Sequence, residues 1–163
     1  MQPRSRIEIS LATQLLRLLD GDGAIREYRV STARNGAGEQ SNSECTPRGR
    51  HVIAAKIGAG APLNSVFVGR VATGEIYSKA FAATQPRGRD WILTRILWLS
   101  GCVPGRNQGG DCDTYARYIY LHGTPAETAL GMQGSRGCVR MGNSDVIDLF
   151  ERVGVGCIVD IEE

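Results

Sequence analysis

Tyr115-Ala116-Arg117-Tyr118-Ile119-Tyr120-Leu121-His122-Gly123-Thr124 leads, after a polar connection, into Ser135-Arg136-Gly137-Cys138-Val139-Arg140. The first part is aromatic and β-branched, which predicts a strand over Tyr115–Leu121 that delivers His122 at its end. Gly123 lets the chain turn there, and Gly137, immediately before Cys138, lets backbone N–H groups approach a substrate carbonyl. An imidazole and a thiol thus stand 16 positions apart, each beside a glycine. The chain has only two histidines, His51 and His122, so few Cys–His pairs can form.

Downstream, Asn143 or Ser144 reads as a helix N-cap, and Asp145 suits the positive end of the helix dipole. Val146, Ile147, Leu149, Phe150 and Val153 recur at helical spacing. Gly154 reads as the residue that ends the helix, and Val155–Ile161 as a closing strand. Upstream, Trp91–Leu99 is the most apolar run, short and flanked by turns, as in a buried strand. Gly101–Asp113 is a long glycine-rich loop of the kind that often carries binding functions. Arg6–Leu11 and Ala24–Val30 alternate as strands. The leucines of Ala12–Asp20 suit a helix or a strand, and the Asp20-Gly21-Asp22-Gly23 turn favours the strand. Ser31–Arg50 reads as a loop closing on the turn Thr46-Pro47-Arg48-Gly49. His51–Ile57, Ser65–Val71 and Gly74–Phe81 follow as strands. About eight or nine strands with one clear helix predict a mainly β fold, a sandwich or barrel-like mixed sheet, in a single domain over residues 1–163.

Apolar residues make up 42% and charged residues 22%, ordinary for a globular chain long enough to bury a core. A net charge of +2 points to neither a nucleic-acid nor a membrane-surface partner, and no run has the length of a transmembrane helix. Met1–Arg6 lacks the basic start, apolar stretch and small-residue cleavage site of a secretory signal. Of the 19 basic residues only Lys56 and Lys79 are lysines. Most arginines read as composition, a few as fork-shaped carboxylate ligands. Five cysteines leave at least one outside any intramolecular disulfide. Cys45 and Cys157 read as small apolar residues. Cys102 and Cys112 bracket the glycine-rich loop and are open to pairing in an oxidising compartment. The cysteines do not fall at zinc-ligand spacings with the histidines.

A thiol attacks only as its thiolate, which is scarce at neutral pH unless a base or cation stands near. His122 is the natural base. His51 lies mid-strand with no glycine beside it and is expected in the wall or core. The Gly123 carbonyl, or another backbone oxygen, can accept the imidazole's second N–H and fix its tautomer. The amides of Gly137 and Cys138 are candidates for an oxyanion hole. Arg136 and Arg140 flank the thiol by two residues on either side, placed to lower its pKa or hold a substrate carboxylate. Tyr120 shares a strand face with His122. Together these residues point to cysteine acyl transfer.

The same residues resemble the catalytic signature of the L,D-transpeptidase (YkuD-type) family. That signature is a His-Gly at a strand end followed by a Ser/Thr-His-Gly-Cys-x-Asn/Arg box, and Thr46-Pro47-Arg48-Gly49 resembles the family's Thr-Pro-x-Gly turn. The resemblance extends over essentially the whole chain. It implies Cys138 as nucleophile and His122 as base, with Gly123 orienting the histidine, Gly137 contributing to the oxyanion hole, and Ser135, Arg136, Arg140 and Tyr120 facing substrate. It implies a peptidoglycan stem peptide as donor, release of its terminal D-Ala, a thioacyl-enzyme, and transfer to an acceptor amine to crosslink third residues. Water as acceptor would make the enzyme an L,D-carboxypeptidase instead, and loss of the site would leave a silent wall-binding domain. The resemblance further implies acylation by carbapenems, no metal or organic cofactor, a monomer, and action in the cell envelope. Without a visible signal, the cytoplasm is the other location the sequence allows. Arg136 departs from the family, standing where a second histidine is common.

Overall fold

Apolar residues at every second position decide how the strands pair. Ile7 and Ile9 of β1 (Ser5–Ser10) are buried opposite Leu18 and Leu16 of β2 (Leu15–Asp20) in an antiparallel ladder. Strand pairing buries both rows at once, which settles the stretch 12–20 as a turn followed by a strand. The structure is a computed structural model that describes residues 5–21 and 23–163. The readings of Met1-Gln2-Pro3-Arg4 and of Asp22 lie outside them.

The remaining strands are β3 (Gly23–Ser31), β4 (Gly49–Ile57), β5 (Ser65–Val68), β6 (Val71–Ile76), β7 (Ile92–Gly101), β8 (Tyr120–Gly123), β9 (Val139–Met141) and β10 (Ile158–Glu162). They run in the order β4-β10-β1-β2-β3-β9-β8-β7, and β7 pairs back onto β4, which closes a barrel-like ring. The β5–β6 hairpin pairs onto β7 beside that ring. The fold is mainly β with one main helix, as the sequence predicts. Inward residues of the ring strands form one core with Val146, Leu149 and Phe150 of the helix α2 (Asn143–Arg152). Lys56 caps the C-terminus of α2, its Nζ donating to the carbonyls of Phe150 (2.6 Å) and Val153 (2.8 Å), where a cation suits the helix dipole. A second, smaller cluster of Phe67, Ile96, Tyr120 and their neighbours lies on the opposite face of β7 and β8.

Several expected elements are redrawn. The hairpin turn falls at Gly69-Arg70, both at positive φ (55° and 67°), so the first strand ends at Val68. Gly74–Phe81 is not one strand: β6 stops at Ile76, and Ser78 caps the short helix α1 (Lys79–Ala83) by accepting the Phe81 N–H at 3.0 Å. Good helix formers after a serine cap outweigh the aromatic strand signal there. Tyr115–Leu121 is a strand only from Tyr120. Asp113 accepts the Ala116 and Gly109 N–H groups and starts a helical turn that ends at Tyr118, at φ 57°. The N-cap of α2 is Gly142, with no side-chain cap bond, because the Asn143 amide serves the network described below. Cys102 and Cys112 are free thiols, as are the other three cysteines. His51 is fully buried between the Gly49 carbonyl and the Thr114 hydroxyl, 3.0 Å from each.

Candidate active site

Parallel pairing of β8 and β9 brings the two key residues together. Leu121 lies opposite Val139 and His122 opposite Arg140. Alternation sends Leu121, Val139 and Met141 into the main core and leaves Tyr120, His122, Cys138 and Arg140 on the other face. Cys138, one step before β9, is the diagonal neighbour of His122.

His122 is fully buried. Its Nδ1 lies 2.6 Å from the Gly123 carbonyl, an acceptor, so Nδ1 carries the proton and Nε2 holds a free lone pair in the neutral ring. Nε2 is buried without a hydrogen-bond partner among the described residues. Burial pulls the imidazole pKa below its ordinary value, against the smaller opposing effect of the Gly123 bond. Desolvation pushes the Cys138 thiol up to about 12, with the Tyr120 N–H, Arg140 and Arg117 pulling the other way. The sulfur accepts the Tyr120 N–H and donates to the Tyr118 carbonyl, each at 3.3 Å. A carbonyl at the sulfur favours S–H over S⁻, so the resting pair is a neutral thiol and a neutral imidazole.

The loop that carries the thiol is braced from far along the chain. Gly137 has φ 133°, and a Cβ there would meet Ile119 Cδ1 at 3.2 Å and the Cys45 carbonyl at 3.3 Å, so glycine is required. Thr46 Oγ1 donates to the Gly137 carbonyl (2.8 Å) and accepts the Ala33 N–H (3.0 Å). Ser135 Oγ donates to the Cys138 carbonyl at 2.5 Å and accepts the Gly137 N–H at 3.2 Å. The Ser135 hydroxyl is therefore engaged inside the loop, and so is one of the two amides expected to face an oxyanion. Arg117 adds a second brace, its Nη2 donating to the Cys45 carbonyl at 2.6 Å.

Gly123 is held as tightly. A Cβ there would stand 2.5 Å from the Leu93 carbonyl oxygen and closer still to Asn143 Oδ1. Asn143 Oδ1 accepts from Thr94 Oγ1 (2.7 Å), Asn143 Nδ2 donates to Asn64 Oδ1 (2.9 Å), and the Asn64 N–H donates to Thr94 Oγ1 (3.1 Å). Thr94 is buried at φ 75°, a strained conformation for a β-branched residue, at an irregularity of β7 opposite β8. Thr94, Asn143 and Thr46 are invisible as site residues in sequence because they act on the backbone at Gly123 and Gly137, and Arg117 because it acts through the Cys45 carbonyl that packs beside Gly137.

The other expected residues are each held by partners of their own. Arg140 pairs with Asp90 at 3.2 Å and donates to the Gly134 carbonyl. Arg136 is exposed and donates to the Gly88 carbonyl at 2.8 Å. Tyr120 is buried, and its hydroxyl accepts from Arg70 at 3.1 Å, while the Arg70 guanidinium lies over the Trp98 and Tyr118 rings. Tyr120 thus forms an aromatic wall with Trp98, Tyr115 and Tyr118. Among the described residues no group of three His, Cys, Asp or Glu is arranged to hold a metal ion, and no helix is long and apolar enough to cross a membrane.

A family model for the L,D-transpeptidase catalytic domain (YkuD) matches residues 4–161. Over 46 residues the chain is 48% identical to the probable L,D-transpeptidase YbiS of Escherichia coli K12, covering 26% of this chain and 15% of that protein. An L,D-transpeptidase from Mycobacterium smegmatis superposes with a TM-score of 0.61 at 13% identity, over 99% of this chain and 59% of that one. L,D-transpeptidase 3 from Mycobacterium tuberculosis, solved with a faropenem-derived adduct, gives 0.59 at 15% identity, over 99% of this chain and 61% of that one. The chain therefore spans less than two thirds of these relatives, and at such identities the structural likeness speaks for the shared fold. With the family model spanning almost every residue, this chain belongs to the L,D-transpeptidase catalytic-domain family.

Proposed function

We propose that the chain is a cysteine-dependent L,D-transpeptidase acting on peptidoglycan stem peptides in the cell envelope. The observation that supports this is the β8–β9 register, which makes Cys138 the diagonal neighbour of a buried imidazole whose Nδ1 proton is fixed by Gly123 and whose Nε2 is unpartnered among the described residues. In the first half-reaction Sγ attacks the carbonyl of the third stem residue while its proton passes to His122 Nε2. The Cys138 N–H steadies the oxyanion, since the Gly137 N–H is bound to Ser135. The C–N bond to D-Ala then breaks, and His122 returns the proton to the leaving amine. In the second half-reaction an acceptor amine attacks the thioester, its proton goes to His122, the C–S bond breaks and the thiol is restored. No step needs a metal or organic cofactor. Removing the proton during attack, not beforehand, suits a thiol whose pKa burial has raised.

Two measurements test this reading. A carbapenem should add one adduct mass to the wild type and none to Cys138→Ala. An adduct on neither protein supports a silent domain, and the same adduct on both moves the nucleophile elsewhere. Incubated with purified muropeptides, the wild type should form crosslinked dimers. Release of D-Ala or tripeptide without dimers would make the enzyme an L,D-carboxypeptidase.

A further inference from the structure

A polar cleft of about 370 Å³ is lined by Arg34, Glu44, Arg89, Asp90, Arg136 and Arg140, the last two each two residues from Cys138. Its charges are not equally committed. Arg140 pairs with Asp90 at 3.2 Å, and Arg89 with Glu75 at 3.5 Å. Arg34 and Arg136 have no ion-pair partner among the described residues, and the bond Arg136 makes is to a carbonyl, which leaves its charge uncancelled. Setting Glu44 against one of these two guanidinium groups leaves one full positive charge. The cleft also includes Ser135 and Gly134, so it is continuous with the loop that carries the nucleophile. Arg136 lies two residues from Cys138, a backbone span of at most about 7.6 Å. That span places the Arg136 backbone within one or two peptide residues' reach of a carbonyl held at Cys138.

We propose that this cleft is a carboxylate subsite that makes the enzyme select donor peptides with a free carboxylate over those with a carboxamide at the same position. The proposal rests on the function proposed above and adds a specificity to it. A carboxylate offers two acceptor oxygens to guanidinium forks. A carboxamide offers one oxygen and turns an NH₂ donor toward groups that are themselves only donors. Arg34 and Arg136 are solvent-exposed, so the discrimination is moderate, about three- to thirtyfold in kcat/KM. It shrinks as salt is raised, because exposed charges are screened.

The test uses two stem tetrapeptides identical except that one free carboxylate near the scissile bond is a carboxamide, with D-Ala release as readout. The wild type should prefer the carboxylate. The double variant Arg34→Gln/Arg136→Gln should bring the ratio close to unity, and Arg34→Lys/Arg136→Lys should restore part of it. Equal turnover of both peptides by the wild type overturns the proposal and leaves the proposed function standing. A preference that survives in the Gln variant overturns the assignment to this cleft. If the wild type releases D-Ala from neither peptide, the proposed function falls and the subsite with it. Circular dichroism of each variant separates a lost preference from a lost fold.

Discussion

Gly123→Ala puts the tightest contact at the site to the test. The new Cβ would stand 2.5 Å from the Leu93 carbonyl oxygen, whereas relaxed C···O contacts begin at about 3.3 Å, so one side must retreat by roughly 0.8 Å. Leu93 cannot do so easily: it is fully buried in β7 and paired directly opposite Gly123. Asn143 Oδ1, the other obstacle, is held by Thr94. The displacement therefore falls on β8, which carries His122 and the carbonyl that fixes its tautomer. Overpacking of this kind costs about 1–3 kcal/mol, a fall of about 2–12 °C in Tm for a chain of this size. With His122 as the proposed base, a displacement of nearly 1 Å costs about a hundredfold in rate. The assay is carbapenem acylation followed by intact mass, beside a thermal melt. A Gly123→Ala protein with wild-type Tm, acylated within about threefold of the wild-type rate, would refute the claim that this contact positions the base.

Three further outcomes concern pH. Because Cys138 is pushed up and His122 down, alkylation by iodoacetamide should climb about tenfold per pH unit across the neutral range, while kcat/KM holds as pH falls through 6.5, the ordinary histidine value, and is lost only below it. An alkylation rate that is flat below neutrality would instead reveal a preformed thiolate–imidazolium pair. His51 titrates in the folded protein at about 4 against 6.5 when free, so the unfolded chain binds the proton first. Stability is then unaffected above 6.5 and declines as pH falls to about 4, by about 3 kcal/mol in all. Denaturant unfolding of His51→Gln should show that decline reduced by this amount, and an unchanged slope would place the proton elsewhere.

The strands were legible where one face alone is buried, as in Arg6–Leu11 and Ala24–Val30, because a period of two survives in the sequence whatever the strand pairs with. The reading failed at Tyr115–Tyr118 and Tyr77–Phe81. There residues with strand propensity follow a capping side chain, Asp113 or Ser78, and a local hydrogen bond to the backbone outweighs a propensity worth less than about 1 kcal/mol per residue. The first of these misreadings matters for the site, since the turn returns the Tyr118 carbonyl to the Cys138 sulfur.

The sequence by itself determined which groups are available for the proposed chemistry: one imidazole at a strand end, one thiol beside a glycine, and the glycines that flank both. These are local properties, set by residue type and by the conformations each residue allows. Tertiary structure decided what those groups experience. Ladder register makes His122 and Cys138 diagonal neighbours, and burial moves both pKa values. Thr46, 91 residues before Gly137, holds that residue's carbonyl, and Thr94 with Asn143 closes the space beside Gly123. Such partners leave no local trace, because the backbone they brace has the same chemistry at every residue and only the pairing of distant strands selects which one is met.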